Sequence, residues 1–349
     1  MPVLPPLPDR IGAIAAPYLP PEPLDSPPLR WAILGAGGIA HKFVRDIERA
    51  GSRVIAVGSR TPGKATEFAA AAHVPCAGSY EDVVARDDVD AVYVATTHNF
   101  HAAAAKVAMS AGKPVLIEKP IAPSARELAD VRRAAEAAGV LVMEAMWSRF
   151  LPHYAIIRAF VESGTLGRVT YVRAEHSQRL RGVARMEDPN LAGGAALDLG
   201  VYPASFIHWI LGKPTMVQAA GHLTDRGVDA DGIAMLSYPH ANAVYEASMQ
   251  VKMVNSAVVA FERGRIELPY EFYRLSEIRV VWDEGSDLYQ EVWSMKAIEN
   301  YGFEYEGAAF ARALATGQTE VSGHGWQDAA EVIEILDRIR SDIGVVQGE

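Results

Sequence analysis

The sequence predicts an α/β chain of two domains. An N-terminal doubly wound parallel sheet is followed by an α+β domain with a large, mostly antiparallel open sheet. Three observations predict it. Short apolar runs alternate with helical stretches from Leu29 to Met143. A glycine pattern, Gly35-Ala36-Gly37-Gly38-Ile39-Ala40, joins the first run to the first helix. From Val169 the period changes to eight strand-like segments, several joined by short turns.

Composition sets the outer limits. The 349 residues are 50% hydrophobic and 22% charged, ordinary for a soluble globular protein with room for two domains. No apolar run approaches the roughly 18 residues of a membrane span. A net charge of −10 argues against nucleic acid, which needs a basic face. The single cysteine, Cys76, excludes an internal disulfide and fits a reducing cytosol. The N-terminus lacks the charged-then-apolar plan of a secretory signal, so the expected location is cytoplasmic.

Residues 1–28 stand apart. Prolines 2, 5, 6, 8, 17, 20, 21, 23, 27 and 28 make this stretch read as an extended polyproline-type arm rather than a packed element. It is either a loose tail or an arm laid over its own domain or a neighbouring subunit. Ile11, Ile14 and Tyr18 would then be its anchors.

Leu29–Leu34 is the first strand, and a helix follows to about Ala50. Between them lies G-x-G-x-x-A, a dinucleotide fingerprint. Gly35 permits the tight turn, Gly37 lets the backbone approach a pyrophosphate, and Ala40 keeps helix and strand close. The pyrophosphate would sit on backbone N–H groups at the helix start, from Gly38 and Ile39 onward. The second strand, Arg53–Val57, ends in Gly58-Ser59-Arg60. The acidic residue that would bond an NAD ribose is missing there. Ser59, Arg60 and, a little further on, Lys64 offer donors to a 2′-phosphate, which favours NADP over NAD. The plainer reading is that Arg60 stacks on an adenine.

Thr61–Ala72 and Glu81–Arg86 read as helices, and Ala91–Ala95 as a buried strand. The strand ends in Thr96-Thr97-His98-Asn99-Phe100-His101, at the edge where such sheets hold ligands. Thr96, Thr97, His98, Asn99 and His101 are therefore cofactor candidates. His98 could also face a substrate, whereas His101 could instead cap its helix and bond a neighbouring loop. His98 and His101 are three apart, as metal ligands can be, but no third ligand is evident and no metal is expected. The helix from His101 to Ala111 ends at Gly112.

The stretch Pro114–Pro120 matters most. Val115, Leu116 and Ile117 form a buried strand that runs straight into Glu118-Lys119-Pro120. A lysine is costly to desolvate, so Lys119 should lie near solvent or near a group that wants its charge. Pro120 pushes Lys119 into an extended backbone. Glu118 and Lys119 join the cofactor candidates; the plainer reading of Lys119 is a solvated side chain. Val140–Met143 is the last strand of this domain. Trp147 and Arg149 follow on the ligand edge, as a wall for a sugar-like substrate or as a core tryptophan at the domain junction. The domain is taken to run over 29–150, and the second over 151–349.

A helix runs from Pro152 to Ser163. The strands of the second domain are Val169–His176, Met216–Leu223, Ile233–Tyr238, Ala243–Gln250, Ser256–Phe261, Arg265–Leu268, Ile278–Trp282 and Tyr289–Trp293. An open sheet of this size has a face to cover, and a second subunit would cover it in a homodimer. Helices near Tyr305–Ala315 and Trp326–Ile343 close the chain. Asp198 and Tyr202, four apart in Gly193–Pro203, share a face if that stretch is helical, although Pro203 is able to kink it. They are substrate and proton-transfer candidates, or else a buried pair satisfying backbone groups.

Gly35-x-Gly37-x-x-Ala40, Glu118-Lys119-Pro120 and Asp198-x-Gly200-x-Tyr202 together resemble the glucose–fructose oxidoreductase (Gfo/Idh/MocA) family, over about residues 29–345. Met143–Phe150 and Tyr202 look like its dimeric dihydrodiol dehydrogenase and D-xylose dehydrogenase branch. Many other branches carry histidine at the position of Tyr202, which speaks against inositol dehydrogenases. The resemblance implies a Rossmann domain, a second domain with an open sheet, sheet-to-sheet dimers, and a lysine and a tyrosine of the site at Lys119 and Tyr202. Two features depart from the branch: Ala195 stands where a third glycine is common, and the proline-rich arm is longer, similar to that of glucose–fructose oxidoreductase itself.

The activity this implies is hydride exchange between a sugar-type alcohol and nicotinamide. Tyr202 would accept the hydroxyl proton, with the Lys119 ammonium favouring a phenolate whose ordinary pKa is about 10. The reverse assignment, with Lys119 carrying the proton, stays open. Asp198 would orient the substrate hydroxyl or Lys119, and His98, Trp147 and Arg149 would line the pocket. The rivals are trans-dihydrodiol oxidation, anhydro-sugar reduction, and a regulator that senses NADP without turnover.

Overall fold

The computed structural model describes residues 4–295 and 301–346. Pro2 of the arm and residues 347–349 of the second domain range lie outside the described residues. The chain divides into two compact units, one of residues 21–150 and 301–330, the other of residues 1–20, 151–300 and 331–349.

The first unit holds six parallel strands: β1 (Arg30–Leu34), β2 (Arg53–Gly58), β3 (Cys76–Gly78), β4 (Ala91–Val94), β5 (Val115–Glu118) and β6 (Val142–Ala145). Their order is β3-β2-β1-β4-β5-β6. The strand order reverses beside β1, and the carboxyl ends of β1 and β4 flank that switch point. β4, β5 and β6 are buried along their whole length, which is why their sequences are apolar runs rather than alternations. The last strand begins two residues later than expected, because Gly139 ends the preceding helix at φ +64° and the chain must first turn back to the sheet. The first segment of this unit ends at residue 150, and residues 301–330 return to it. There Phe310, on the helix Phe303–Ala315, packs on Trp31 of β1 at 5.2 Å.

The second unit is an eight-stranded sheet: β7 (Val169–Ser177), β8 (Met216–Leu223), β9 (Asp229–Ser237), β10 (Asn242–Ser248), β11 (Ala257–Phe261), β12 (Gly264–Leu268), β13 (Glu277–Asp283) and β14 (Leu288–Ser294). Its order is β14-β13-β12-β11-β7-β10-β9-β8, with β7 and β10 parallel and the other neighbours antiparallel. Side chains alternate as the pleat requires. Val172, Ala174, Leu236, Ala243, Val259 and Ile266 are buried, while Tyr171, Ile233 and Met235 on the opposite parity are exposed.

The arm corrects the expectation of an extended, unpacked segment. Asp9–Ala15 is an α-helix, with Ile11 and Ala15 fully buried. Ile14 and Tyr18 are half-buried. The N-terminal amides of a helix have no partners within it, and a carboxylate suits its positive end. Glu291 of β14 supplies one, accepting from the N–H of Arg10 at 3.1 Å and of Ile11 at 2.9 Å. Trp293 donates from Nε1 to the Pro5 carbonyl at 2.9 Å, and Arg10 lies 4.0 Å over the Tyr289 ring. The arm therefore packs on one face of β14, an edge strand of the sheet in its own unit, through Tyr289, Glu291 and Trp293. No helix among the described residues is long and apolar enough to cross a membrane.

Candidate active site

β1 delivers the chain to Gly35, whose φ is +116° and where a Cβ would sit 2.5 Å from the Ala95 carbonyl oxygen. Only glycine fits that turn. The helix Gly38–Ile47 starts from Gly37 with no side-chain cap. Gly37 and Gly38 are exposed, and a Cβ on Gly38 would meet nothing within 4 Å. Ala40 is buried against the strand. An uncapped helix start opening on free space is an anion site, and these residues fit a dinucleotide pyrophosphate.

At the end of β2 the chain reads Gly58-Ser59-Arg60-Thr61, with no carboxylate. The Ser59 hydroxyl accepts the Thr61 N–H at 3.1 Å and so shapes the turn. The exposed Arg60 guanidinium stacks 3.6 Å over the Phe100 ring. The Tyr80 hydroxyl is within hydrogen-bonding reach of it. Lys64 is exposed in the first turn of the helix Pro62–Ala72. Ser59, Arg60 and Lys64 thus share the β2 end, as the sequence implies.

The loop after β4 is self-bonded. The Thr97 hydroxyl donates to Asn99 Oδ1 at 2.9 Å, and Thr96 Oγ1 donates to the Thr97 carbonyl at 3.3 Å. Thr96, Thr97 and Asn99 are half-buried and His98 is buried. His101 is fully buried, with Nδ1 2.8 Å from the Pro120 carbonyl and Nε2 3.2 Å from that of Thr96. Burial pushes its pKa down to about 4, so the ring is neutral and its one proton goes to the shorter contact. His101 ties two loops together, offers no surface to a cofactor, and makes no side-chain cap. Glu118 is likewise turned inward. Its carboxylate accepts from the Tyr93 hydroxyl and, at 3.2 Å, from the Lys119 N–H. Lys119 is half-buried, and its peptide bond to Pro120 is cis.

Trp147 and Arg149 correct the expectation of an open pocket wall. Trp147 is buried against Phe303, ring centroids 4.8 Å apart, and Tyr301. The Arg149 side chain is 1% exposed and pairs with Asp328 at 3.2 Å. Both return to segment 301–330, which a local pattern does not reveal. Beside them lies a pair the sequence reading passed over. Buried Glu144 of β6 accepts the Ile121 N–H at 2.8 Å and a hydrogen bond from His324 Nε2. A carboxylate inside the buried run Val142–Ala145 was the available signal.

In the other unit, Ala196–Gly200 forms a π-turn that runs into the α-helix Val201–Leu211. Such turns often mark functional positions. Gly200 is obligatory, because a Cβ there would lie 1.8 Å from the Tyr245 hydroxyl. Pro203 cannot donate to the Leu199 carbonyl four residues back, and His176 donates to it instead from Nδ1, at 3.2 Å. Gln178 donates to His176 Nε2 at 2.9 Å, which fixes that tautomer. Tyr202 is buried, its ring 5.0 Å from His176 and 5.1 Å from Tyr273. Asp198 is held bidentately by the guanidinium of Arg185, at 2.9 and 3.2 Å, a partner not foreseen. Asp229, buried under the π-turn, accepts the Ala196 N–H, and burial lifts its pKa to about 6.

Residues 29–146 match the Gfo/Idh/MocA oxidoreductase family with its NAD-binding Rossmann fold, and residues 154–267 match the Gfo/Idh/MocA C-terminal domain. The chain belongs to the Gfo/Idh/MocA family. It is an oxidoreductase that binds NAD or NADP and acts on hydroxyl-bearing carbons. This Gfo/Idh/MocA chain is 32% identical over 329 residues to a trans-1,2-dihydrobenzene-1,2-diol dehydrogenase of Danio rerio, covering 92% of this chain and 98% of that one. A mouse (Mus musculus) enzyme of the same name is 36% identical over 330 residues, covering 91% and 97%. Among solved structures, KijD10, a 3-ketoreductase from Actinomadura kijaniata in complex with TDP-benzene and NADP, superposes with a TM-score of 0.77 at 25% identity, covering 91% and 98%. A levoglucosan dehydrogenase, at 20% identity and a TM-score of 0.81 over 90% and 97% of the chains, shares the fold.

Proposed function

We propose that the chain is an NADP-dependent dehydrogenase for a ring carbon that bears a hydroxyl beside a second one, as in an aldose or a trans-dihydrodiol. The observation that carries the cofactor assignment is an uncapped helix start behind Gly35, in one unit with an exposed guanidinium where an NAD enzyme has a carboxylate. The substrate class draws on relatives named for a cyclic trans-diol at 32–36% identity.

Bound NADP would accept or supply the hydride. The amides of Gly38 and Ile39 would hold its pyrophosphate; Arg60, Ser59 and Lys64 its 2′-phosphate; Thr96, Thr97, His98 and Asn99 its nicotinamide side. Tyr202 takes the proton of the reacting hydroxyl, and the Lys119 ammonium favours the phenolate. His176, hydrogen-bonded to Gln178, packs against the Tyr202 ring. Asp198, paired with the Arg185 guanidinium, orients the substrate hydroxyl. The exposed Tyr171, Ile233 and Met235 on the open sheet face support a homodimer through that face. A lone cysteine supports a reducing, cytoplasmic setting.

The test is absorbance at the reduced-nicotinamide band, with NADP or NAD and trans-1,2-dihydrobenzene-1,2-diol, D-xylose or D-glucose. NADP-dependent turnover of one of them is expected. Tyr202→Phe should lower kcat by roughly 10²- to 10⁴-fold with little change in NADP affinity. Equal loss of both would sink the role of Tyr202. NADP binding without turnover on the panel would favour a cofactor sensor.

A further inference from the structure

We infer that one peptide group, Pro120–Ile121, is clamped from both sides, and that His101 and Glu144 are thereby positioning residues for Lys119. The inference rests on the reading that Lys119 serves the reaction. The carbonyl of this peptide accepts from His101 Nδ1–H at 2.8 Å. Its N–H donates to Glu144 Oε1, also at 2.8 Å. The two clamping residues come from the two neighbours of β5 in the sheet. His101 opens the helix that follows β4, and Glu144 lies in β6. The carboxyl end of β5, which carries Lys119, is thus gripped from left and right, one residue beyond the lysine.

Behind Glu144 stands His324, from segment 301–330, donating from Nε2. His101, Glu144 and His324 are all buried. Burial alone would raise the Glu144 carboxyl, but the His324 hydrogen bond, the Ile121 N–H and Arg149 together hold it below the ordinary carboxylate range. It is therefore a charged acceptor, about twice as strong as a neutral one. Burial and Arg149 push His324 down, so it stays a neutral donor. An ionised carboxylate is costly to bury, and a neutral acceptor would satisfy one amide. Placing a charged one here, with its own supporting donor, resists rotation of the peptide that follows Pro120 and so holds the backbone just beyond Lys119. Misplacing a reacting group by about 1 Å costs on the order of 10²-fold in rate.

The experiment uses the full chain with NADP and whichever of trans-1,2-dihydrobenzene-1,2-diol and D-xylose it turns over. Glu144→Met removes the acceptor, while Glu144→Gln keeps an oxygen for Ile121. His101→Leu removes the donor, while His101→Asn keeps one near Nδ1. The Met and Leu variants should lose about 10- to 100-fold in kcat, keep NADP affinity within about threefold, and show a larger deuterium isotope effect on kcat. The Gln and Asn variants should recover most of the rate. Unchanged kcat in the Met and Leu variants would overturn the clamp, as would a loss of NADP binding that matches the loss of rate. Hydrogen exchange on the unaltered protein decides if those variants do not fold or no substrate is turned over. Ile121 should then be the slowest amide of residues 119–124, and fast exchange there overturns the inference. Lys119→Met separates the two claims. Retained turnover brings down the reading of Lys119 and the purpose of the clamp with it. Abolished turnover, with the clamp variants fully active, brings down the clamp alone.

Discussion

Replacing Arg60 by alanine tests cofactor choice directly. Its guanidinium already lies 3.6 Å over Phe100, with the Tyr80 hydroxyl within reach, so part of its ordering cost is met before a ligand arrives. Hydrogen bonds to a charged group contribute about 1.5–3 kcal/mol, or roughly 10- to 150-fold in affinity. Arg60 is exposed, and solvent screening places the expected loss near the lower end, about 10- to 30-fold. Arg60→Ala should therefore reduce kcat/KM for NADP by that factor and change the value for NAD by less than about threefold. Phe100→Leu keeps the charge but removes its platform. An exposed cation–π contact contributes about 0.5–1 kcal/mol, so a two- to fivefold loss is expected for NADP alone. The assay is initial-rate kinetics with both cofactors at saturating substrate, backed by titration of cofactor binding. The reasoning is refuted if Arg60→Ala weakens NADP and NAD in parallel, or if the unaltered protein prefers NAD.

Three further outcomes are expected. Burial raises the Asp229 pKa in the folded state, to about 6 from 3.8, with the Ala196 N–H and then Arg340 opposing the shift and Tyr245 buried beside it. Its favourable contribution is present below about pH 3.8 and is lost as pH rises through 6. Neutral pH then carries a penalty on the order of 2–3 kcal/mol. Asp229→Asn should flatten the fall in urea midpoint between pH 4 and 7, and an unchanged slope would count against the burial effect. Ile11→Ala should destabilise the sheet unit by about 2–4 kcal/mol in urea unfolding, because the side chain is fully buried. A loose arm would show no change. Gly35→Ala forces a Cβ to 2.5 Å from a backbone oxygen at φ +116°. NADP binding should fall by more than about 100-fold, and near-normal binding would rule out the turn as described.

Much of the architecture was legible because its signals are local. A strand covered on both faces must be an apolar run, and Val115–Ile117 is one. A strand with one wet face must alternate, as Ala257–Phe261 does. The turn at Gly35 needs a residue without a Cβ, so that turn was legible in the glycine spacing. The arm was misread because proline density reports extended chain, yet the proline-free stretch Asp9–Ala15 coils into a helix once Glu291 caps it. That cap lies some 280 residues away.

The sequence by itself determined the order of elements, the family and the nucleotide end, because those depend on side-chain size and spacing along a few consecutive residues. Only the tertiary structure decided which polar groups are buried as braces and which partners they find. Arg185 and Asp198 are 13 residues apart, and Glu144 and His324 are 180. The sequence left Trp147 as a pocket wall or a core residue and His101 as a ligand contact or a loop brace; Phe303 packs on the first, and the Pro120 and Thr96 carbonyls lie against the ring of the second. A buried charge or donor must find a partner wherever the fold supplies one. Local spacing carries no record of a partner brought in from a distant segment.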